Sequence, residues 1–368
     1  MSLAAVIERS CRDREGWTYT SLKPLADTPF VPVRAAPEKA GQALPSILDE
    51  TAQRHQIVFV NGIWQPELSK LGELAGILKG DAANGYRLEL AGQTCLVTAP
   101  VELVFLTDTG DTAGEVNMRL SIELGASGRL TLIEHHVAPD GKAPAALVHD
   151  VDVRLDSQAK LVHGRVIAAG ETVSWLGRGD IRIGEGAYYD SFTLVTGGRL
   201  VRNETESRLT GKLAQCSLNS VMLLRGSAHA DTTTHILHEV PFGTSHQVCK
   251  SVLAGKARGV FQGRITVAED AQKSDATQLS RALLLSDQAE MDAKPELYIH
   301  ADDVTCSHGA AIGALDDNAL FYLRSRGIGE DEARALLIRG FIGETIDDIQ
   351  VPEWRAYARR LAEVWCDE

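Results

Sequence analysis

A small residue returns at a nearly constant interval among short strand-like runs, and that period limits what this chain can fold into more than any other feature. The fragments GASGRL, DSQAKL, GEGAYY and GKLAQC align on Gly128, Ala159, Ala187 and Ala214, at spacings of 31, 28 and 27 residues. Ala230 and Ala257 repeat the interval of 27. From 86 to 313 the sequence is a succession of runs such as RLELAG, TCLVTA, VELVFLTD, MRLSIEL and RLTLIEHHV, with Gly, Asp, Ser and Ala between them. Helical periodicity is almost absent there. A period of this length built from strands predicts a mainly β chain folded as a β-solenoid, in which each coil turns where only a small side chain fits. A β-sandwich accounts for the strands but not for the regular long period.

The flanks differ from the body. Residues 1–85 read as a mixed segment. ALPSILDETAQRH has Leu44, Ile47 and Leu48 at helical spacing after a capping Ser46, and IVFVNGIW reads as a hairpin turning at Asn61-Gly62. Residues 314–368 switch to a helical period. DDNALFYLRSRG puts Leu320, Phe321 and Leu323 on one side and stops at Gly327. GEDEARALLIRGFIGETIDDI opens with acids in its first turn and draws its apolar face from Leu336, Leu337, Phe341 and Ile342. A third helix starts at Pro352. The expected organisation is therefore 1–85, 86–313 and 314–368.

A formal net charge of −13 argues against nucleic acid and anionic membrane as partners, because both reward a basic face. No run approaches the roughly 20 apolar residues of a membrane-spanning helix, and the N-terminal MSLAAVIERSCRDREGW turns charged too soon for a secretory signal. The six cysteines, Cys11, Cys95, Cys216, Cys249, Cys306 and Cys366, are scattered without a CxxC pair. Free thiols in a cytoplasmic protein are the expectation, and a self-contained zinc or iron–sulfur site built from these cysteines alone is not.

Several constellations invite a chemical reading. In HADTTTHILHE, His229, His235, His238 and Glu239 lack HExxH spacing, and only His229 and His235 share a face of one strand. His135 and His136 point to opposite faces for the same reason, so these histidines read as surface or core residues. Asp302 and Asp303 suggest a carbohydrate-cleaving carboxylate pair, an alternative weakened by an aromatic content of 5%. Neither a GxxxxGK[ST] phosphate loop nor a GxSxG elbow occurs. Cys306 and His308, two apart in DDVTCSHGAAIG, face the same way on a strand and are both iron ligands, but two ligands are too few for a cluster. Close packing at Gly309 and Ala310 is the competing explanation.

The stretch ADDVTCSHGAAIGALDDNALFYLRSRGI, with ARGVFQGRITV and AQKSDATQLSRALLLSDQAEMDAKPEL before it, resembles the SufD family of the SUF iron–sulfur cluster assembly system. GWTYTSLKPL and IVFVNGIWQPELS extend the likeness over nearly the whole chain. The resemblance implies a right-handed parallel β-helix flanked by helical segments, and a non-enzymatic scaffold that pairs with a SufB paralogue and binds the ATPase SufC. It further implies a role in iron acquisition and a cluster held transiently at the SufB interface, with no cofactor held stably by the chain alone. A homodimer of the isolated chain is also expected. His308 matches the family histidine implicated in assembly, and Cys306 the nearby cysteine. Phe321, Tyr322, Leu323, Arg324, Arg326, Gly327 and Ile328 match the segment presented to SufC. The chain has CSHGA where SufB relatives resemble EHEA, and Thr305 stands where the family often has lysine.

Overall fold

The structure is a computed structural model that describes residues 1–33, 55–74, 76–90, 97, 99–139 and 141–367. The helix expected over ALPSILDETAQRH, apart from His55, and most of TCLVTA with Cys95 lie outside the described residues. Among the described residues the strands form two ten-stranded sheets, paired almost throughout in parallel. The chain alternates between them. Arg129–Ala138 lies in one sheet and Ala145–Leu155 in the other, and Lys160–Ala169 returns to stack on Arg129–Ala138. This continues to Glu290–Ile299 and Thr305–Gly313, the last strand of each sheet. The chain is a β-solenoid, as its period predicts.

One corner explains that period. Ser127, Gln158, Gly186, Leu213, Phe242 and Lys273 all take φ between 60 and 66°, a left-handed conformation that turns the chain sharply. A small residue follows each one: Gly128, Ala159, Ala187, Ala214, Gly243 and Ser274. These residues stack by backbone bonds, the amides of Lys160, Tyr188 and Gln215 donating to the carbonyls of Gly128, Ala159 and Ala187 at 2.7–2.9 Å. Ala230 and Ala257 are not part of the ladder. Ala230 stacks on Gly259, whereas Ala257 belongs with Ala228, whose carbonyl accepts from Arg258. Coil length varies, so an interval of 27 there is coincidental.

The solenoid interior has two apolar ends. One holds Leu120, Leu132, Leu161, Ile183, Leu209 and Ile236, and the other Leu147, Ile167, Trp175, Val201, Met222 and Phe261. Between them runs a buried polar stripe, in which Glu134, Arg165, Thr193, Ser220, Cys249 and Ser280 stack in register.

Helices clothe the outer faces. α1 (Leu3–Arg12), capped by the Ser2 hydroxyl, and α2 (Lys23–Ala26) cover Ala146, Val148, Leu176 and Leu200 of one sheet. Arg202 fastens this segment: its guanidinium pairs with Asp231, lies 3.9 Å from the Trp17 ring and donates to the Gly16 carbonyl at 2.9 Å. On the other sheet, α4 (Glu330–Asp347) and α5 (Pro352–Asp367) follow the shorter α3 (Asp317–Ser325) and bury Ile133, Val166, Leu194, Val221 and Val252. The buried face of α4 is Ala335, Ile338, Ile342 and Ile346, while Leu336 is exposed and Leu337 and Phe341 are half-buried. Ile338, Ile342 and Ile346 recur every four residues and form one stripe, which adjacent leucines cannot. In α3, Leu320 is buried and Phe321 is 74% exposed, so those two residues do not share a packed side.

The hairpin at Asn61-Gly62 is present, with φ of 49° and 77°, as a type I′ turn requires. Its first strand, His55–Val60, also pairs in parallel with Val101–Leu106 and begins one sheet. No helix among the described residues is long and apolar enough to cross a membrane.

Trp354 anchors α5, fully buried over Gly164, where a Cβ would come within 2.8 Å of the indole. Trp354→Ala is expected to lower stability by about 3–5 kcal/mol in chemical denaturation. Gly164→Ala is expected to cost about 1–3 kcal/mol by forcing the indole away. A Gly164→Ala protein as stable as the parent would mean that α5 is not seated as described.

Candidate functional site

Cys306 and His308 sit on Thr305–Gly313, which pairs along one edge only, with Asp275–Leu284. Register puts Cys306 on Ala276 and His308 on Gln278, so both point along the inward direction of the solenoid wall. Among the described residues no further coil lies above them. His308, Ala310 and Ile312 are therefore exposed although their counterparts one coil earlier, Gln278, Ser280 and Ala282, are buried. Cys306 is half-buried against the end of the apolar core. Burial, helped by the Asp275 carboxylate, pushes its thiol up, so it is a protonated thiol at neutral pH until a metal or a base removes the proton. The pair offers a sulfur and a nitrogen donor on one uncovered face.

The segment after the last strand is exposed too. Phe321 and Tyr322 are 74% and 57% exposed, and the Arg326 guanidinium lies 5.1 Å from the Tyr322 ring. Arg324 reaches Glu330 at 3.4 Å, and Leu323 and Ile328 are half-buried. Gly327, at φ 90°, ends α3: its amide donates to Arg324 and that of Ile328 to Leu323, the paired bonds of a Schellman motif. The turn fixes how α3 and α4 diverge and leaves the aromatic pair outward.

A second cluster lies inside the solenoid. Glu134 is wholly buried and receives Arg165 Nε at 2.7 Å, with His136 Nε2 at 3.1 Å, His163 Nε2 at 3.0 Å and His149 Nε2 at 3.7 Å. Arg165 also donates to Asn203 at 3.3 Å, and His163 Nδ1 lies 2.9 Å from the Tyr189 hydroxyl. Burial by itself would raise the Glu134 pKa, but Arg165 and His163 together hold the carboxyl well below its ordinary range. The same burial pushes His136 down to about 3, despite the raising influence of Glu134, so the imidazole is neutral.

Residues 105–341 match the family model described as "SUF system FeS cluster assembly, SufBD core domain". The chain belongs to the SufBD family. It is similar to the iron-sulfur cluster assembly protein SufD of Escherichia coli strain K12, at 29% identity over 92% of this chain and 85% of that one. It is likewise similar to a SufBD family protein of Synechocystis, at 28% over 95% and 85%, and to SufD of Bacillus subtilis, at 28% over 73% and 61%.

Within this SufBD fold the remaining histidines separate. His229 and His235 face outward, and His238 faces inward with Nε2 2.9 Å from the Ser245 hydroxyl. His135 packs outward against Tyr357 of α5. Asp303 is tied to Lys273 at the corner before the last strand, where Asp302 is exposed. Among the described residues no cysteine is in a disulfide. Sequence reasoning missed the Glu134 cluster because its members come from three strands. The signal was present nonetheless, since the 31-residue offset from Gly128 to Ala159 also carries Glu134 onto Arg165.

Burial pushes both His135 and His238 down to about 4. Each stays neutral in the folded chain, while the unfolded chain takes up a proton below about pH 6.5. The unfolded state binds more protons in that window, so stability falls as pH drops from about 6.5 to about 4, by up to about 1.4 kcal/mol per pH unit for each imidazole. Denaturation free energies across that range are expected to show the slope, and His238→Gln is expected to flatten it. An unchanged slope in the variant would show that His238 is not held neutral.

Proposed function

We propose that this chain is a scaffold subunit of SUF iron–sulfur cluster assembly, working at the uncovered end of its solenoid. In this reading that end pairs with a SufB-like paralogue, iron is acquired there, and the nascent cluster forms between the two chains as cargo, not as a resident cofactor. Cys306 and His308 supply this chain's donors. The observation that carries the reading is an exposed imidazole beside a half-buried thiol, both pointing inward on a strand with one free edge.

Three physical points support it. Two donors leave an iron ion short of its ligand set, which a facing chain can complete. Glu290–Ile299 and Thr305–Gly313 each present a row of unpaired backbone groups, a template for strand addition by another chain. Phe321 and Tyr322 supply the exposed aromatic anchors that a protein interface uses, with Leu323, Arg324, Arg326, Gly327 and Ile328 around them. The partner at that segment is a SufC-like ATPase, whose nucleotide chemistry this chain has no phosphate loop to perform. The division at residues 85 and 313 belongs to the same proposal, the body bearing the cluster donors and the tail the ATPase contact. The working compartment is the cytoplasm.

Co-expression with a SufB paralogue and a SufC ATPase, followed by light scattering on the eluted species, tests the assembly. A particle containing all three chains is expected. A homodimer of this chain beside unbound partners would overturn the pairing. Within the complex, His308→Ala is expected to cut cluster formation by about tenfold or more while the complex still elutes intact, and assembly at the parent rate would remove His308 from the role. Phe321→Asp is expected to release the ATPase alone, at a cost of about 2 kcal/mol or more in binding.

A further inference from the structure

The Glu134 cluster lies inside the solenoid, away from the donors assigned to cluster assembly. Arg165 pairs with one oxygen of the buried carboxylate, and its remaining lone pairs need further donors. Here three imidazoles also turn their Nε2 atoms toward it, at 3.0, 3.1 and 3.7 Å. His149 Nε2 is fully buried and makes no hydrogen bond, while His163 Nε2 and Glu134 Oε1 answer each other at 3.0 Å. Such an orphan costs on the order of 1–3 kcal/mol, so His149 calls for a missing partner.

The spacing identifies that partner. Glu134, His136 and His149 bring one donor atom each within 4.8 Å of one another. A four-coordinate ion with bonds of about 2.1 Å sets its donors about 3.4 Å apart, and the two measured carboxylate–imidazole gaps fall on either side of that value. Two imidazoles and a carboxylate are a donor set for zinc or ferrous iron, too hard for cuprous copper and too nitrogen-rich for calcium or magnesium. We propose that Glu134, His136 and His149 bind one divalent first-row transition-metal ion inside the solenoid, with His163 holding the second carboxylate oxygen of Glu134 at 3.0 Å. The inference goes beyond the assembly reading and stands on this geometry alone.

The surroundings fit a metal centre. The Phe105 ring stacks on His136 at 4.6 Å and Trp175 meets it edge-on at 5.2 Å, fixing the ring in a dry shell. His163 is oriented through Nδ1 by Tyr189. Ligation would take each imidazole through an unprotonated Nε2. Arg165 is the competitor: its charge opposes a dication, and binding shifts it from Glu134 toward its second acceptor, Asn203. Ser220, Gln247, Gln278 and Ser280 continue the polar stripe from this level toward the open end.

Cobalt(II) added to the metal-free full-length chain tests the site, with Cys306→Ser and His308→Ala as the background that silences the open end. One tightly bound equivalent with the visible bands of low-symmetry nitrogen–oxygen cobalt is expected. Glu134→Gln and His149→Gln are each expected to weaken binding more than tenfold, and Arg165→Gln to strengthen it. Cobalt-edge anomalous diffraction from the background chain needs none of these variants to fold. A peak within about 2.2 Å of Glu134, His136 and His149 is the expected result. No peak there, or an ordered water in its place, overturns the proposal, as does a folded His149→Gln chain that binds cobalt like its parent. None of these results bears on cluster assembly by the three-chain complex, which is measured separately.

Discussion

Everything in this molecule depends on the registered stacking of one coil on the next. Parallel pairing fixes each residue above its counterpart in the previous coil, so a side chain is selected for the column it joins as much as for its own strand. At the corner the column demands a left-handed residue followed by a small one, and the strain of Leu213 and Phe242 at φ of 60° and 66° is tolerated because both neighbouring coils hold the turn. Inside the wall the same rule collects apolar residues at both ends of the cross-section and polar ones in the middle. A charge in that middle column must be answered within it or one coil away, as Arg165 answers Glu134.

The helices are secondary to this frame but not interchangeable. α4 and α5 lie on a sheet whose outward residues are largely β-branched or aromatic, and Lys250 ties α4 down by donating to the Phe341 carbonyl at 2.6 Å and pairing with Glu344 at 2.7 Å. Arg225 serves α5 similarly, its guanidinium 4.3 Å from the Trp365 ring and bonded to the Trp365 carbonyl. α3 has no such fastening to the sheet. Only Leu320 is buried there, so its aromatic residues stay in solvent while the rest of the tail is immobilised. The tail thus combines two helices packed on the sheet with one whose aromatic side chains are exposed.

How much of this was legible in sequence follows from whether the determining contacts are local. The corner leaves a periodic trace because its demand for a small residue acts within a few positions of the turn, and Gly128, Ala159, Ala187 and Ala214 carry it openly. The helix caps are local too, and Gly327 and Pro352 mark their termini correctly. On α4 the expected face shares Ile342 with the observed one, but the sheet takes the Ile338–Ile342–Ile346 stripe, since residues four apart share one side of a helix and the adjacent Leu336 and Leu337 do not. The Glu134 cluster is the opposite extreme: it draws His149 from the facing sheet, and nothing within either strand announces the other. Only the coil offset, applied as a register and not merely as a fold signature, links Glu134 to Arg165. Cys306 and His308 were read as one face of a strand, which holds, but that the face lacks a covering coil depends on where the solenoid stops.

That stopping point is asymmetric. At the N-terminal end each sheet closes with an antiparallel hairpin, Ile63–Trp64 on His55–Val60 and Leu78–Asp81 on Gly85–Leu90, and the turns of these hairpins finish the stack. At the C-terminal end neither Glu290–Ile299 nor Thr305–Gly313 has an outer neighbour among the described residues, and α4 and α5 fold back along the wall. A long strand with a free edge and inward residues in solvent is a hazard that monomers blunt with charge, proline or a cap. Pro295 interrupts one of the two strands, but Thr305–Gly313 has no charged side chain along its length and is made mostly of small residues. Left free, such an edge would pair with whatever strand it met. Its plainness is what strand addition by a second chain would use: free backbone groups to set the register and small side chains to let it approach.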